Sequence, residues 1–471
     1  MPRIRLLIPL VLLATAALPL APNVPADTVW PQFRGTLGRG VSDINSLPTT
    51  WSATKNVAWR INIPGRGWSS PIVWGDQVIV TSTISPGAFK QPSTGIFGND
   101  YVAELERQGL SEADILAKLR ARDIESTAEA GELEYVVFSC DVATGKTRWR
   151  QQAHRGAPFG GRHRKNTYAS ETPATDGERI YALFGNVGLF CYSMDGRLLW
   201  THRIDPKPRY LDFGTAASPV VHDGRVYILD DNEVSSYVAA LDAKSGALLW
   251  KTPRTAGNPF PLSGWSTPFV WVNEKRTEIV AIGRATATSY DVNGRELWRL
   301  GGLTQANPTP TASDGLLYVA TGSQGESNRP LFAIRPGASG DISLTNGAAS
   351  NAFVAWYQPR ASAYTSSPLV FGERVYAVND NGVMAVFDAK TGREIYKARV
   401  GGVGNTFSAS PWAHGGKVFC LSEDGDTFVL NPGDRYDEVA KNSLGEMSLA
   451  TPAVTRDGLF IRTATALYRI R

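Results

Sequence analysis

Carboxylates that could bind a metal or act as a base are the first feature of this chain to consider. The densest cluster, Leu229-Asp230-Asp231-Asn232-Glu233, follows a predicted strand, where a solvated turn is the ordinary interpretation. Glu171 stands immediately before another predicted strand. A hard cation such as Ca²⁺ needs six or more converging oxygen atoms, and spacing alone does not establish convergence. Glu171 is therefore a candidate ligand-binding residue, and no metal site is predicted.

Histidines and cysteines supply no complete catalytic or metal-binding set either. The five histidines lack metal-ligand spacing, and His222 and His414 are predicted to lie in solvated turns after strands. The three cysteines are not adjacent and stand in hydrophobic strand contexts, so we expect small buried side chains. No nucleophile elbow or phosphate-binding loop is present. We therefore predict no catalytic residues. The histidines are His154, His163, His202, His222 and His414, and the cysteines are Cys140, Cys191 and Cys420.

Aromatic and amide side chains recur in loops a few residues before a repeated proline. If these loops surround one funnel, their rings and amides could hold a sugar, a planar cofactor or a peptide. Alternatively, the rings pack on one another and seal the centre. We expect any function to reside in these loops rather than in the proline-containing phrase that follows each of them. The candidate ligand-binding residues are Trp68, Lys165, Asn166, Tyr168, Glu171, Trp265, Gln305, Asn307, Tyr364, Asn405 and Phe407.

The repeated phrase is a small residue, Ser or Thr, followed by Pro and then by a hydrophobic strand. From the second copy onward the prolines are 46, 49, 42, 58, 43 and 41 residues apart. A period in the forties filled with short strands predicts a β-propeller. The eight prolines are Pro71, Pro173, Pro219, Pro268, Pro310, Pro368, Pro411 and Pro452.

Each repeat reads as four antiparallel strands joined by Gly, Asp or Asn turns. An Asp opens the last turn and a Trp follows it by eight residues, as in Asp141 to Trp149 and Asp242 to Trp250. The Trp is expected to pack against the adjacent blade. Trp298 and Trp356 fill this position in the fourth and fifth blades, and the seventh blade has no clear equivalent.

The two ends of the chain predict how the ring closes. Only 19 residues follow Pro452, enough for three strands, whereas a strand containing Trp59 precedes the first phrase. We therefore predict an all-β, eight-bladed propeller of four-stranded antiparallel blades, with the N-terminal strand completing the last blade.

Three segments of the chain do not follow the repeat pattern. Residues 1–26 read as a signal peptide, with Arg3 and Arg5 before an apolar stretch, which leaves residues 27–471 as the propeller. Residues 84–133 form an insertion within blade 1, where Ser111-x-x-Asp114 predicts a helix start. Residues 337–349 read as a Gly/Ser/Asn-rich loop. The net charge of +4 argues against nucleic acid as a partner, and no later segment is predicted to span a membrane.

The phrase, the turns and the Asp-x-x-Thr-Gly-Lys-x-x-Trp signature resemble the PQQ-like repeat propellers over about residues 30–471. This family includes the pyrroloquinoline quinone (PQQ) dehydrogenases and the non-enzymatic outer-membrane assembly propellers called BamB. The residues Trp30 to Gly35 and Lys165 to Pro173 resemble a further group of exported propellers.

The resemblance carries different implications for the two known groups. A quinoprotein dehydrogenase is expected to have two adjacent cysteines and a Glu, Asn and Asp set holding Ca²⁺, and no two cysteines are adjacent here. We therefore expect an exported periplasmic or extracellular scaffold that binds a protein partner in the cell envelope, without a cofactor. The alternatives are a PQQ-dependent oxidoreductase with calcium, and binding of a small molecule or polysaccharide through the funnel.

Overall fold

The computed structural model describes residues 24–87, 104–123, 126–127, 131–254, 263–323, 328–345, 347–361 and 364–471. Most of the predicted signal peptide (1–23) and much of the predicted insertion (88–103, 124–125 and 128–130) lie outside the described residues. Within the described residues, no helix has the length and apolar character needed to cross a membrane.

Eight small antiparallel sheets form a ring, so the predicted eight-bladed propeller is confirmed. Blade 1 comprises Ile72–Trp74, Gln77–Ile84, Leu133–Asp141 and Thr147–Gly156, and blade 2 comprises Ala174–Thr175, Arg179–Phe184, Gly188–Ser193 and Leu198–Arg203. Blade 3 comprises Val220–His222, Arg225–Asp230, Tyr237–Asp242 and Leu248–Pro253. Blade 4 comprises Phe269–Val272, Thr277–Ile282, Thr286–Tyr290 and Glu296–Gly301. Blade 5 comprises Thr311–Ser313, Leu316–Ala320, Leu331–Ile334 and Val354–Gln358, and blade 6 comprises Leu369–Phe371, Arg374–Val378, Val383–Asp388 and Glu394–Arg399. Blade 7 comprises Trp412–His414, Lys417–Leu421, Asp426–Leu430 and Glu438–Ser443. Blade 8 comprises Ala453–Thr455, Gly458–Arg462, Ala466–Ile470 and Val57–Asn62.

The sequence of each strand matches its distance from the propeller axis. Second and third strands are apolar at nearly every position because neighbouring blades cover both of their faces. Ile180 to Phe184 are all buried, for example. The outer strand Leu248–Pro253 instead alternates between exposed and half-buried side chains. The hydrophobic core is therefore divided among the spaces between blades.

The N-terminal strand closes the ring, as predicted. Val57–Asn62 pairs antiparallel with Ala466–Ile470 and forms the outer edge of blade 8. The indole Nε1 of Trp59 then donates to the carbonyl oxygen of Val142 in blade 1, at 2.9 Å. The two chain ends are thus joined in one blade, which is bonded to the next.

The predicted Trp contacts connect several pairs of neighbouring blades. Trp149 donates from Nε1 to the carbonyl of Met194, and Trp200 does so to Ala243. Trp250 and Trp356 repeat this bond to the turns of the following blades. Trp298 differs, because its Nε1 donates to Glu278 Oε2 within its own blade at 2.7 Å.

The reason for this exception lies in the segment that was predicted to be a loop. A short strand, Gly340–Asp341, pairs in parallel with the outer strand of blade 4 at Trp298. Blade 4 therefore has a fifth strand, which lies where the next blade's turn would otherwise meet the indole.

An axial segment, residues 29–41, crosses one end of the central channel. Val29–Trp30 adds a fifth strand to blade 1 on the inner side of Ile72–Trp74. The segment then packs Gly38 near Phe269 of blade 4 and forms a bridge from Val41 to Ala413 of blade 7. The repeat pattern did not predict this arrangement.

The predicted insertion contains the helix α1, Glu112–Asp123. Ser111 Oγ accepts from the backbone N–H of Asp114 at 3.2 Å, and donates to its Oδ2 at 2.6 Å. These bonds cap the helix where the sequence predicted its start. Beyond the helix, Ser126–Thr127 pairs with Arg162–His163, a short strand ahead of blade 2.

Candidate functional site

A chamber of about 240 Å³ occupies the propeller axis. Phe33 of the axial segment lines it, so that segment closes one end. Part of the chamber wall is formed by the Ser or Thr residue that precedes each repeated proline. All eight of these residues line the chamber: Ser70, Thr172, Ser218, Thr267, Thr309, Ser367, Ser410 and Thr451.

These eight residues, here called the hydroxyl ring, are bonded to one another around the axis. Seven of their backbone N–H groups donate to the side-chain oxygen of the corresponding residue in the next blade, at 2.9 to 3.3 Å. All eight residues are buried, with at most 5% of their surface exposed. The repeated phrase therefore lines the chamber together with the loops that precede it, where the sequence predicts the ligand-binding residues.

Seven of the predicted ligand-binding residues also line this chamber, and four lie elsewhere. Tyr168 packs with blades 1 and 2, and its hydroxyl donates to the carbonyl of Gly160. Asn405 bonds to the carbonyl of Gly401, while Phe407 is buried against Phe428 in the core between blades 6 and 7. Glu171 lines a separate small cavity. The chamber-lining seven are Trp68, Lys165, Asn166, Trp265, Gln305, Asn307 and Tyr364.

Hydrogen bonds to neighbouring backbone hold the aromatic walls in place. Trp68 Nε1 donates to the carbonyl of Lys165 at 2.9 Å, and Trp265 Nε1 donates to that of Gly214 at 2.8 Å. Because their polar edges are bonded, the two indoles offer the chamber mainly apolar surface. The side-chain amides of Gln305 and Asn307 have no intrachain partner among the described residues, so they are available to a ligand.

Asn166, in contrast, is committed to structure. Its Nδ2 donates to the carbonyls of Phe213 and Thr215, while its Oδ1 accepts from Thr167 N and Ser170 Oγ. This network shapes the loop that enters blade 2. Asn166 therefore positions the chamber wall and has little capacity left for a ligand.

Two ion pairs neutralise the charged groups at the chamber. Lys165, from the loop before blade 2, reaches Glu423 of blade 7, with Nζ to Oε1 at 2.7 Å. The side chains of Lys165 and Glu423 are only 11% and 0% exposed. Asp380, which lines the chamber, pairs with Arg329 at 3.1 Å. Both carboxylates already have a cationic partner.

Glu171 lies in a cavity of about 20 Å³ between blades 2 and 3. Its Oε1 accepts from Thr215 Oγ1 at 2.5 Å and from Gly185 N at 3.2 Å, and its Oε2 has no partner among the described residues. Burial raises the pKa of this carboxyl, which favours its neutral form.

The residues around Glu171 do not fit a calcium ion. Arg209 pairs with Asp230 at 2.6 Å and Arg254 pairs with Asp231 at 2.8 Å, so guanidinium groups already supply the positive charge. The prediction of a solvated turn at Asp230 and Asp231 is therefore wrong, because two arginines from neighbouring segments bury both carboxylates. Over the described part of the chain, no three His, Cys, Asp or Glu side chains are grouped for metal binding.

His414 is also more buried than predicted. Its side chain is 1% exposed and stacks on Phe419, with ring centroids 4.1 Å apart. The axial segment and the residues after it cover this strand end, since Gly415 N donates to Ile44 O. The predicted solvated turn is therefore wrong for His414.

The cysteines are all buried and unpaired, as predicted. Burial raises the pKa of the Cys140 thiol to about 11. The thiols are therefore protonated at neutral pH.

A family model described as outer membrane protein assembly factor BamB matches overlapping ranges that together cover residues 132–465. BamB of Marinobacter adhaerens is 29% identical over 97 residues, which is 21% of this chain and 24% of that protein. A tetrathionate hydrolase of Acidithiobacillus ferrooxidans is 25% identical over 224 residues, covering 44% of this chain and 40% of the hydrolase. The matches thus span less than half the length of either relative.

Among solved structures, the quinohemoprotein alcohol dehydrogenase ADHIIG of Pseudomonas putida superposes with a TM-score of 0.54 at 11% identity. The superposition covers 94% of this chain and 80% of the dehydrogenase. At this identity the similarity concerns the fold.

Proposed function

This chain belongs to the PQQ-like repeat propeller family whose model is described as BamB, and we propose that it is an exported, non-enzymatic binding protein of the bacterial cell envelope. In this proposal the ligand enters the axial chamber and contacts the indole faces and the amides of Gln305 and Asn307. The chamber is the observation that carries the proposal. It combines apolar walls with polar groups that lack intrachain partners, the usual composition of a ligand pocket.

The ion pairs support binding over catalysis. A general base must be able to take up a proton from its substrate, and a metal ligand must offer free oxygen atoms. Glu423 and Asp380 instead accept from Lys165 and Arg329. The envelope location rests on the family match and on the predicted signal peptide.

Native mass spectrometry with a small-molecule extract of bacterial envelopes tests the chamber. The protein is expected to retain an adduct of defined mass, and Asn307→Trp, which fills the chamber, should abolish it. Lys244→Trp, on an exposed turn of blade 3, is the matched control and should retain it. An adduct that survives Asn307→Trp, or no adduct at all, would contradict binding in the chamber.

The quinoprotein alternative can be tested directly by unfolding the protein with PQQ and Ca²⁺. A ligand present at 100 times its Kd adds about 2.7 kcal/mol to the free energy of unfolding. We expect no such increase. An increase of that size would contradict a non-enzymatic function.

A protein-interaction scaffold is the second candidate, and an exposed apolar rim favours it. Phe159, Leu211 and Val234 are 44%, 42% and 61% exposed, on adjoining loops of blades 2 and 3. Leu211 and Asp212 both have positive φ angles, of 49° and 57°, a strained conformation that is often retained at binding surfaces.

Site-specific photo-crosslinking in an envelope-exporting bacterium tests this rim. A crosslinker at Leu211 is expected to capture one partner protein, whereas a crosslinker at Leu248, which is 50% exposed on the outer strand of blade 3, should not. Equal capture at both positions would contradict a specific docking surface on the rim.

A further inference from the structure

The hydroxyl ring offers a set of hydrogen-bond donors to the axial chamber. In seven of its members the side-chain oxygen already accepts a backbone N–H from the neighbouring blade. Among the described residues, none of the eight hydroxyl groups donates to a protein acceptor. Because a hydroxyl has one proton to donate, these protons are free to bond with atoms in the chamber. The complementary ligand atoms are acceptors.

A buried arginine lies beside the ring without a counter-charge. Arg34 of the axial segment is 1% exposed, and its Nη2 donates to the carbonyl of Pro368, which follows ring residue Ser367, at 2.7 Å. Its Nε and Nη1 have no partner among the described residues. Desolvation alone lowers its pKa, to about 9, so the guanidinium is still charged at neutral pH.

A second buried arginine lies beside the ring at blade 1. Arg462 of blade 8 is 2% exposed, and its Nη1 donates to Ser69 Oγ and to the carbonyl of Thr81, both at 2.6 Å. Ser69 immediately precedes ring residue Ser70. Here too desolvation is the cause of a pKa lowered to about 9, with no carboxylate contributing.

The remaining charges at the chamber cancel. Lys165 is paired with Glu423, and Asp380 with Arg329. Arg34 and Arg462 are therefore left as excess positive charge behind the hydroxyl ring. Neither side chain lines the chamber, and each donates to a residue that adjoins a ring residue, Pro368 after Ser367 and Ser69 before Ser70. A buried cation without a counter-charge is costly, and a bound anion would reduce that cost.

We propose that the axial chamber selects an organic acid with a single ring, its carboxylate seated on the hydroxyl ring and its ring between the indoles of Trp68 and Trp265. This inference rests on the proposed function, since it names the chemical class of ligand for the same chamber. The volume of about 240 Å³ is small for a ligand pocket and suits a molecule of this size.

D-glucuronate and D-glucose are a suitable pair of probes because only the glucuronate carries a carboxylate. Isothermal titration of the full chain is expected to give a Kd for glucuronate at least tenfold below that for glucose. Arg34→Met should remove this preference while leaving the glucose affinity unchanged. Arg462→Met provides the same test should Arg34→Met fail to fold.

Arg469→Met is the matched control. Arg469 is another buried arginine, 4% exposed, and it donates only to carbonyl oxygens, but those belong to Asp457, Val142 and Ala143, none of which adjoins a residue of the hydroxyl ring. This variant should retain the preference for glucuronate.

Each other outcome overturns the inference. Equal affinity for the two sugars, or a preference for glucose, refutes selection of anions while leaving ligand binding in the chamber intact. A preference that persists in both arginine variants refutes the role of these two cations. Binding of neither sugar also refutes the inference, and the envelope-extract adduct then decides separately whether the proposed function stands.

Discussion

Protonation of His414 is expected to destabilise the propeller at mildly acidic pH. The imidazole is buried against Phe419, and neither ring nitrogen has a partner among the described residues. Burial lowers its pKa from 6.5 to about 4, because the charged form loses its hydration without gaining a hydrogen bond. The unfolded chain therefore binds this proton more readily than the folded protein does.

The sign and size of the effect follow from proton linkage. Between pH 6.5 and about 4 the unfolded state holds the proton and the folded state does not, so the free energy of unfolding falls as the pH decreases. A difference of about 2.5 between the two pKa values corresponds to about 3 kcal/mol. This contribution is fully present above pH 6.5 and is lost below pH 4.

Urea unfolding of the wild type and of His414→Phe at pH 7.5 and pH 4 measures the effect. The variant should lose about 3 kcal/mol less than the wild type over this range, since the titrating carboxylates are common to both proteins. His222→Phe is the control, because His222 occupies the same position in blade 3 but is only half-buried. Parallel pH profiles for the wild type and His414→Phe would refute the reasoning.

Two further predictions concern the contacts between blades. A Cβ on Gly246 would lie 2.6 Å from the Trp200 ring, whereas one on Gly224 would have nothing within 4 Å, and both glycines have positive φ. Gly246→Ala should therefore cost about 1–3 kcal/mol more than Gly224→Ala in denaturant unfolding, and equal costs would show that backbone strain alone is responsible. Lys165→Met should cost about 3–5 kcal/mol by removing the ammonium group that lies 2.7 Å from the buried Glu423 carboxylate, and adding Glu423→Gln should restore most of it; no recovery in the double variant would contradict the ion pair.

Most of the fold could be predicted because each blade repeats a local pattern. Short apolar strands, Gly-containing turns and the spacing of Asp to Trp depend on residues close together in sequence. The role of Trp59 in closing the ring was predictable for the same reason, since the last repeat lacks its outer strand. Trp298 shows the limit, because its neighbour is a strand from residues 340–341 that has no local signal.

The candidate site was predicted only in part. The aromatic residues Trp68 and Trp265 line the chamber as their positions before each phrase suggested, whereas Phe407 follows the same rule and packs into the core. Equivalent positions in different blades diverge because the axial segment meets the blades differently. It pairs with a strand of blade 1, accepts a hydrogen bond from Thr175 of blade 2, and also contacts blades 4, 6, 7 and 8. That asymmetry also buries His414 and leaves His222 half-buried.

The sequence by itself determined the eight blades and the closure of the ring, because those depend on hydrophobic period and turn chemistry repeated along the chain. Only the tertiary structure brought the eight phrase hydroxyls into one ring, placed Arg34 beside it and paired Lys165 with Glu423. These contacts join residues as far apart as 334 positions in the chain, and their geometry depends on how the blades pack around the axis. Local patterns establish the propeller, and the path of the axial segment closes one end of its chamber.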